Sequence, residues 1–124
     1  MGDPPLFSRV LPQFAAELES ALTREHPDIA SQVRDLRMGR VCDCPDPGCA
    51  TFDVPGRRPR DYDFSLELEE LNGLVLVDVA KPGRVGTART GSRRILGVEV
   101  LYRPDLRKEV EAHVEIGRSP SVRP

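Results

Sequence analysis

The sequence predicts an α+β domain in which an antiparallel meander of four or five strands is packed by two N-terminal helices and one C-terminal helix. Apolar residues recur at helical spacing before Gly39, at strand spacing from Arg40 onward, and at helical spacing again after Pro104. The chain has 124 residues, of which 39% are hydrophobic, and this suits one core. We therefore expect residues 1–117 to form a single domain, and residues 118–124, which are poor in apolar side chains, to be a disordered tail.

Two helices are predicted before the first strand. Pro12 fits the first turn of a helix that runs to about Glu25, because proline is well tolerated where the backbone N–H has no partner. Its apolar stripe consists of Leu11, Phe14, Ala15, Leu18, Ala21 and Leu22. The proline after His26 disfavours helical backbone there and should end this helix. Asp28 is then expected to cap a shorter second helix, and Gly39 to end it in the left-handed conformation.

The middle of the chain predicts two paired strands. Residues Tyr62–Glu69 alternate between apolar and polar, which indicates a strand with one face in the core. The core face would carry Tyr62, Phe64, Leu66 and Leu68. Asn72 and Gly73 predict a type I′ hairpin turn, since both central positions of that turn need positive φ. The next strand, Leu74–Val79, is apolar on both faces except at Asp78 and should be central in the sheet.

The last third predicts one more strand and a helix. A loop rich in glycine and arginine, Lys81–Arg94, leads to a strand of alternating pattern over Leu96–Tyr102, which completes the meander. Pro104 and Asp105 then start a helix that Gly117 ends. Its apolar stripe consists of Leu106, Val110, His113 and Val114.

Composition and charge exclude several classes of function. The formal net charge is −2, and charges of both signs are spread over both halves of the chain, which argues against a nucleic-acid or membrane-surface binder. Only 5% of the residues are aromatic, which argues against a deep cofactor cavity. No apolar run is long enough to span a bilayer. Three cysteines, an odd number, are expected to be thiols or metal ligands in a reducing cytoplasm, so we expect a cytoplasmic protein.

All three cysteines lie in one short segment that predicts a hairpin. The turn residues Pro45–Gly48 would reverse the chain, with Asp46 and Pro47 as the loop, and would place Cys44 opposite Cys49. Strand alternation then separates a thiol face from a core face. The thiol face would carry Cys42, Cys44, Cys49 and Thr51, and the core face Val41, Ala50, Phe52 and Val54.

Three interpretations of this cysteine cluster remain open. Neighbouring thiolates repel each other and favour a cation, and Zn²⁺ is the usual ion where cysteine sulfur dominates. A structural zinc site needs a fourth ligand, and the candidates are a group from another subunit or Asp43, Asp46, His26 or His113. Alternatively, Cys44 and Cys49 form a redox-active pair, although Asp43 and Asp46 predict raised thiol pKa values. In the third interpretation the thiols only pack the hairpin.

The chain resembles a group of small uncharacterised bacterial proteins. The resemblance covers roughly residues 10–110 and is carried by the Cys-Asp-Cys and Cys-Ala-Thr-Phe pair of motifs at 42–44 and 49–52. Its last two strands, containing Leu-Val-Leu-Val-Asp-Val-Ala and Ile-Leu-Gly-Val-Glu-Val-Leu, are also similar to the hairpin of a widespread bacterial domain of unknown function. The long basic loop departs from that pattern, where a tight turn is usual. The resemblance implies a fold context and no activity.

The remaining sequence features are a basic loop and the absence of familiar catalytic motifs. The basic loop could bind an anion through Lys81, Arg84, Arg89, Arg93 and Arg94. It lacks a phosphate-binding glycine motif and the interleaved aromatics of a nucleic-acid binder. The chain has no Gly-x-Ser-x-Gly or His-Glu-x-x-His motif. We therefore expect a non-catalytic accessory or interaction protein, with a protein partner or a second copy, and with zinc at Cys42, Cys44 and Cys49. The alternatives are a thiol redox or metal-transfer protein using these cysteines, and an anion-binding protein.

Overall fold

The computed structural model describes residues 3–80, 84–85, 88–89 and 93–113, and it confirms the predicted α+β class. The helices are α1 (Phe7–Val10), α2 (Pro12–Glu25), α3 (Pro27–Ala30) and α4 (Pro104–His113), with 3₁₀ turns at Ser31–Asp35 and Pro59–Asp61. The strands are β1 (Arg40–Val41), β2 (Phe52–Asp53), β3 (Tyr62–Glu67), β4 (Leu74–Ala80), β5 (Arg84–Val85), β6 (Ala88–Arg89) and β7 (Arg94–Leu101).

Five of the strands form one antiparallel sheet in the order β1-β2-β7-β4-β3. The strands β3, β4 and β7 are neighbours as predicted, and β4 is an interior strand with β3 on one side and β7 on the other, whereas the middle strand of the five is β7. The hairpin β1–β2 joins the sheet through β7 and not through β3, so the chain crosses to the far edge of the sheet between Asp53 and Tyr62. The short strands β5 and β6 pair with each other in a separate ribbon.

The register divides the sheet into a core face and a polar face. Phe52, Val98 and Val77 align across three strands, and all three are buried in the core. The next row places Asp53, Gly97, Asp78 and Ser65 on the opposite side, called here the polar face. This alternation follows from the two-residue period of strands, and it determines which side chains stay away from the helices.

The helices pack on the core face around a cluster of aromatic rings. The Phe7 ring lies 4.9 Å from that of Phe52 and 5.9 Å from that of Phe14, measured between ring centroids. Leu18 and Leu22 of α2 are fully buried, in agreement with the predicted stripe. Among the described residues, every helix is too short or too polar to cross a lipid bilayer.

The predicted caps of the second helix are wrong. His26 occupies the N-cap position and Pro27 the first helical position, while Asp28 lies in the first turn. The helical backbone ends at Asp35 as a 3₁₀ turn, and Gly39 does not have the positive φ of a left-handed cap. Gly39 is instead closely packed, because a Cβ there would lie 2.6 Å from the backbone nitrogen of Pro55.

The strand β3 is more exposed than its alternation predicted. Tyr62 is 41% and Phe64 37% exposed, because β3 forms an edge of the sheet. A register shift between Tyr62 and Phe64 also interrupts the alternation, and the Tyr62 hydroxyl lies 2.9 Å from the hydroxyl of Ser65 on the polar face. Leu66 is partly buried, and Leu68 is buried as predicted.

The β3–β4 connection is not a type I′ turn. The N–H of Leu71 donates to the carbonyl of Leu68 over 3.2 Å, so the chain reverses before Asn72. Only Gly73 of the predicted pair has positive φ, at 80°. A Cβ at Gly73 would lie 2.6 Å from the carbonyl oxygen of Leu101, so the neighbouring strand also favours glycine here.

The final helix agrees with its prediction at Leu106 and Val110, which are both buried. His113 is exposed, so its placement on the apolar stripe is wrong. The reason is that α4 contacts the core through its first two turns, and His113 is the last residue of the described helix. Val114, Gly117 and the predicted tail at 118–124 lie outside the described residues.

Candidate metal centre

The cysteine segment forms a hairpin with very short strands. Val41 pairs with Phe52, and the N–H of Cys42 donates to the carbonyl of Thr51 over 2.9 Å. Regular pairing extends over only two residues on each side. The cysteines therefore lie in the irregular part of the hairpin, beyond the ends of β1 and β2.

The turn is shifted by one residue from the predicted Pro45–Gly48. The N–H of Cys49 donates to the carbonyl of Asp46 over 3.2 Å, and the N–H of Gly48 donates to the Asp46 carboxylate over 2.8 Å. Aspartate at the first position and proline at the second are typical of such turns, because the carboxylate accepts a backbone N–H and the ring presets φ.

The hairpin brings the three sulfur atoms together, as predicted. The Sγ atoms of Cys42, Cys44 and Cys49 all lie within 4.8 Å of one another. Cys49 is buried, whereas Cys42 and Cys44 are partly exposed. A tetrahedral zinc ion with Zn–S bonds of about 2.3 Å places its sulfurs about 3.8 Å apart, so only a small contraction of the cluster is needed to hold one. On the other side of the hairpin, Val41, Ala50 and Phe52 are buried in the core as predicted, and Val54 packs against it.

None of the candidate fourth ligands from this chain joins the sulfur cluster among the described residues. His26 Nδ1 lies 3.4 Å from the guanidinium of Arg93, and His113 Nδ1 lies 2.9 Å from the carbonyl of Glu109 on its own helix. The Asp46 carboxylate accepts the Gly48 amide, and Asp43 is exposed. Every cysteine and histidine of the 124 residues lies in the described part, so within it three sulfurs are the complete set of thiolate and imidazole ligands at this site.

The residue that sequence reasoning missed at this site is Arg107 of α4. Its Nη2 donates to the carbonyl of Cys44 over 2.9 Å and its Nη1 to the carbonyl of Cys49 over 3.0 Å, while Nε donates to the Glu111 carboxylate over 2.8 Å. The Arg107 side chain is only 11% exposed. An arginine three residues before the buried Val110, and so on the same side of a helix, was the available signal.

The thiols differ in their electrostatic surroundings. The pKa of Cys44 is lowered, mainly because the backbone N–H of Asp46 donates to its sulfur, with further contributions from the neighbouring thiols and Arg107. The pKa of Cys42 is raised to about 11, chiefly by burial. The prediction that nearby aspartates raise the thiol pKa values is therefore wrong for Cys44, because the backbone amide of Asp46 lowers the pKa of this thiol.

A second polar cluster, which the sequence did not reveal, lies on the polar face of the sheet. Asp78 is 1% exposed and accepts from Arg57 over 2.9 Å and from Ser65 over 2.6 Å. Arg57 also donates to Asp53 over 2.7 Å. Gly97 leaves room for this pair, because a Cβ there would lie 2.9 Å from the Asp53 carboxylate.

Glu99 lies beside this cluster, and the charged groups of the cluster shift its pKa. A hydrogen bond with Asp78 raises the pKa of Glu99 to about 7, and burial and the charge of Asp78 act in the same direction. Arg57 acts in the opposite direction without cancelling them. The group Asp53, Arg57, Asp78 and Glu99 therefore holds a carboxyl group that titrates near neutral pH.

The predicted anion site is only partly described. Lys81 lies outside the described residues, as do the side chains of Arg84 and Arg89. Arg93 is paired with Asp28, with 2.9 Å between Nη2 and Oδ1, and Arg94 lies 3.8 Å from the carboxylate of Asp61. Each of these two arginines thus already faces a carboxylate.

Comparisons of the chain with models of protein families, with curated proteins and with solved structures give no match. The resemblance to small bacterial proteins stays a prediction. What the chain does is therefore argued from its side-chain geometry, and the cysteine cluster is the arrangement with the most distinctive chemistry.

Proposed function

We propose that the protein binds one Zn²⁺ ion through Cys42, Cys44 and Cys49 and acts as an accessory or interaction protein whose hairpin the ion holds in place. The observation that carries this proposal is the convergence of three sulfur atoms within 4.8 Å. Thiolate ligands favour Zn²⁺ and softer ions over Mg²⁺ and Ca²⁺, which prefer oxygen.

The local architecture supports a stabilising role for the ion. The strand β1 pairs with β2 over only two residues, and β2 pairs with β7 over only two, so few strand-to-strand hydrogen bonds hold the hairpin to the sheet. The three thiols are also too close to ionise together without a cation between them. Because an unfolded chain has no preformed site, the free energy of binding the ion would add to the stability of the fold.

Binding would also depend on pH in a defined way. The pKa of Cys42 is raised to about 11, so at neutral pH this thiol keeps its proton in the metal-free protein. An ion must displace that proton, whereas Cys44, whose pKa is lowered, ionises more readily. Apparent affinity for Zn²⁺ should therefore rise with pH.

Metal analysis of the protein tests the proposal. We expect the full chain, purified without added zinc, to contain or to take up one equivalent of Zn²⁺. Zn²⁺ should slow the reaction of the thiols with a thiol reagent, and removal of the ion by a chelator should restore that reaction, first at Cys44. Replacing Cys49 by serine should abolish stoichiometric binding, while Mg²⁺ should never protect the thiols. Three freely reactive thiols in the presence of Zn²⁺ would refute the proposal.

A thiol redox function is the second candidate, favoured by the surroundings of Cys44. This thiol is partly exposed and has a lowered pKa, and two further thiols lie next to it. A reactive thiolate beside a second thiol is the arrangement of redox-sensing cysteines. Peroxide treatment of the metal-free protein, followed by mapping of disulfides, tests this candidate. Irreversible oxidation of Cys44 without any disulfide would exclude it.

A further inference from the structure

We propose that the fourth ligand of the ion is the thiolate of a small amino-acid thiol, seated in the groove beside Cys42. This inference rests on the proposed metal site and adds to it the class of molecule that completes the coordination. The chemistry required is a thiol that carries both an ammonium group and a carboxylate, as free cysteine does.

The three sulfurs of the cluster would leave the coordination of the ion incomplete. Structural Zn²⁺ takes four ligands, and the cluster offers three sulfurs. No further cysteine or histidine exists in the sequence that could approach it, since His26 and His113 are both held elsewhere. Cys49 is buried, whereas Cys42 and Cys44 are partly exposed, so the free position faces solvent. Within residues 3–80, 84–85, 88–89 and 93–113 no carboxylate oxygen joins the three sulfurs either, so we assign the fourth ligand to a molecule from outside.

A groove that could hold such a ligand adjoins Cys42. It has a volume of about 190 Å³, which is sufficient for a ligand of amino-acid size. The groove, called here the Cys42 groove, is lined by Arg40, Cys42, Asp43, Thr51, Phe52 and Asp53. A ligand lying in it can bring a short thiol arm to the metal while its body contacts the lining residues.

The lining of the Cys42 groove carries charged side chains of both signs. Among the described residues, neither Arg40 nor Asp43 takes part in an ion pair, and both are exposed. Arginine binds carboxylates through paired hydrogen bonds, and aspartate binds ammonium groups. Asp53 is already paired with Arg57, so the groove offers one guanidinium, at Arg40, and one carboxylate, at Asp43, and this pair is complementary to a zwitterion.

In the proposed ligand exchange a thiolate replaces a water molecule on the ion, and no oxidant is needed. The incoming thiol releases its proton to solvent, its sulfur forms a bond to the ion, and a water molecule leaves the fourth position. The ion keeps its oxidation state. The added negative charge is tolerated because Arg107 and the Asp46 amide already lie beside Cys44.

The test uses the full chain loaded with Co²⁺, whose sulfur charge-transfer absorption grows with each bound thiolate. Addition of L-cysteine should raise that absorption by about one third, since three thiolates become four. L-serine should leave it unchanged. Cysteamine, which lacks the carboxylate, and 3-mercaptopropionate, which lacks the ammonium group, should each bind about tenfold more weakly than L-cysteine.

Variants separate the groove from the metal site. Arg40→Gln and Asp43→Asn should each weaken L-cysteine binding about tenfold and leave Co²⁺ binding unchanged, while Arg34→Gln, outside the groove, should change neither. Failure to bind Co²⁺ at all would refute the proposed function. If the protein binds Co²⁺ but does not respond to L-cysteine, this inference alone is overturned. The same holds if L-cysteine, cysteamine and 3-mercaptopropionate bind with equal affinity. Four-thiolate absorption without added thiol, together with a dimer in sedimentation, would assign the fourth ligand to a second copy and also overturn it.

Discussion

Arg107 donates from Nη2 to the carbonyl oxygen of Cys44 over 2.9 Å, and so connects α4 to a hairpin 63 residues earlier in the chain. Its Nη1 donates to the carbonyl of Cys49 over 3.0 Å. Cys44 precedes the Asp46–Cys49 turn and Cys49 is its last residue, so a single guanidinium holds the spacing between the two cysteines. The geometry of the sulfur cluster therefore depends on a residue that contributes no ligand.

Replacing Arg107 by leucine should destabilise both the fold and the metal site. The Cys49 carbonyl is buried and would lose its donor, and the Glu111 carboxylate would lose its partner. We expect the free energy of unfolding, measured by urea denaturation, to fall by about 2 kcal/mol, and Zn²⁺ affinity, measured by chelator competition, to fall with it. Lys108→Leu, at the exposed neighbouring position, serves as the control. Equal Zn²⁺ affinity in both variants would contradict the role given to Arg107.

The three thiols should react at different rates with iodoacetamide. Cys44 should be alkylated first near pH 7, because its pKa is lowered and it is partly exposed. Cys42, whose pKa is raised to about 11, should become reactive only as the pH approaches that value. Peptide mass spectrometry at short reaction times measures the order, and Zn²⁺ should protect all three thiols. Preferential labelling of Cys42 at pH 7 would be inconsistent with these surroundings.

Much of the fold could be predicted because it depends on local patterns. The spacing from Leu11 to Leu22 predicted α2, a run of apolar residues after a turn predicted β4, and alternation predicted β7. The pairing of β2 with β7 could not be predicted, since a contact between distant segments leaves no periodic signal in either one. The exposure of Tyr62 and Phe64 was missed for a related reason: alternation identifies a face but not whether the strand lies at an edge.

The candidate site was predictable in its ligands and not in its support. Short spacing and turn residues were sufficient to bring Cys42, Cys44 and Cys49 together. The lowered pKa of Cys44 depends on the direction of the Asp46 amide, which is set by the turn geometry. Arg107 reaches the hairpin only because α4 packs there, and such tertiary contacts are absent from the local pattern.

Removing Arg57 should be costly, because Asp78 is 1% exposed and would lose its cation. We expect Arg57→Met to lower the free energy of unfolding by about 3 kcal/mol, the range found when one partner of a buried ion pair is removed. Arg58→Met is the matched control, since the Arg58 side chain is 62% exposed and its ion pair with Asp61 should be worth less than about 1 kcal/mol. Similar unfolding curves for the two variants would show that the Asp78 pair contributes little.

Glu99 should make stability depend on pH near neutrality. Its pKa in the folded protein is about 7, above its ordinary value of 4.5, so the folded state binds this proton more tightly than the unfolded state does. The contribution is fully present below pH 4.5 and is lost as the pH rises through about 7. Because Glu99 is partly exposed, we expect a loss of about 1 kcal/mol between pH 5 and pH 8. Denaturation of wild type and Glu99→Gln at both pH values measures it, and the variant should lack this part of the dependence. Identical pH dependence would exclude Glu99 as its source.

The variant Tyr102→Gly should be more stable than the variant Tyr102→Ala. It has φ of 63°, and it is the only non-glycine residue with positive φ among those described. Its side chain is 71% exposed, so little burial is lost on truncation. Left-handed backbone costs a residue with a Cβ about 1 kcal/mol, and alanine keeps that cost whereas glycine removes it. Thermal and urea unfolding should therefore place Tyr102→Gly about 1 kcal/mol above Tyr102→Ala. The opposite order would mean that the backbone at this position relaxes once the side chain is shortened.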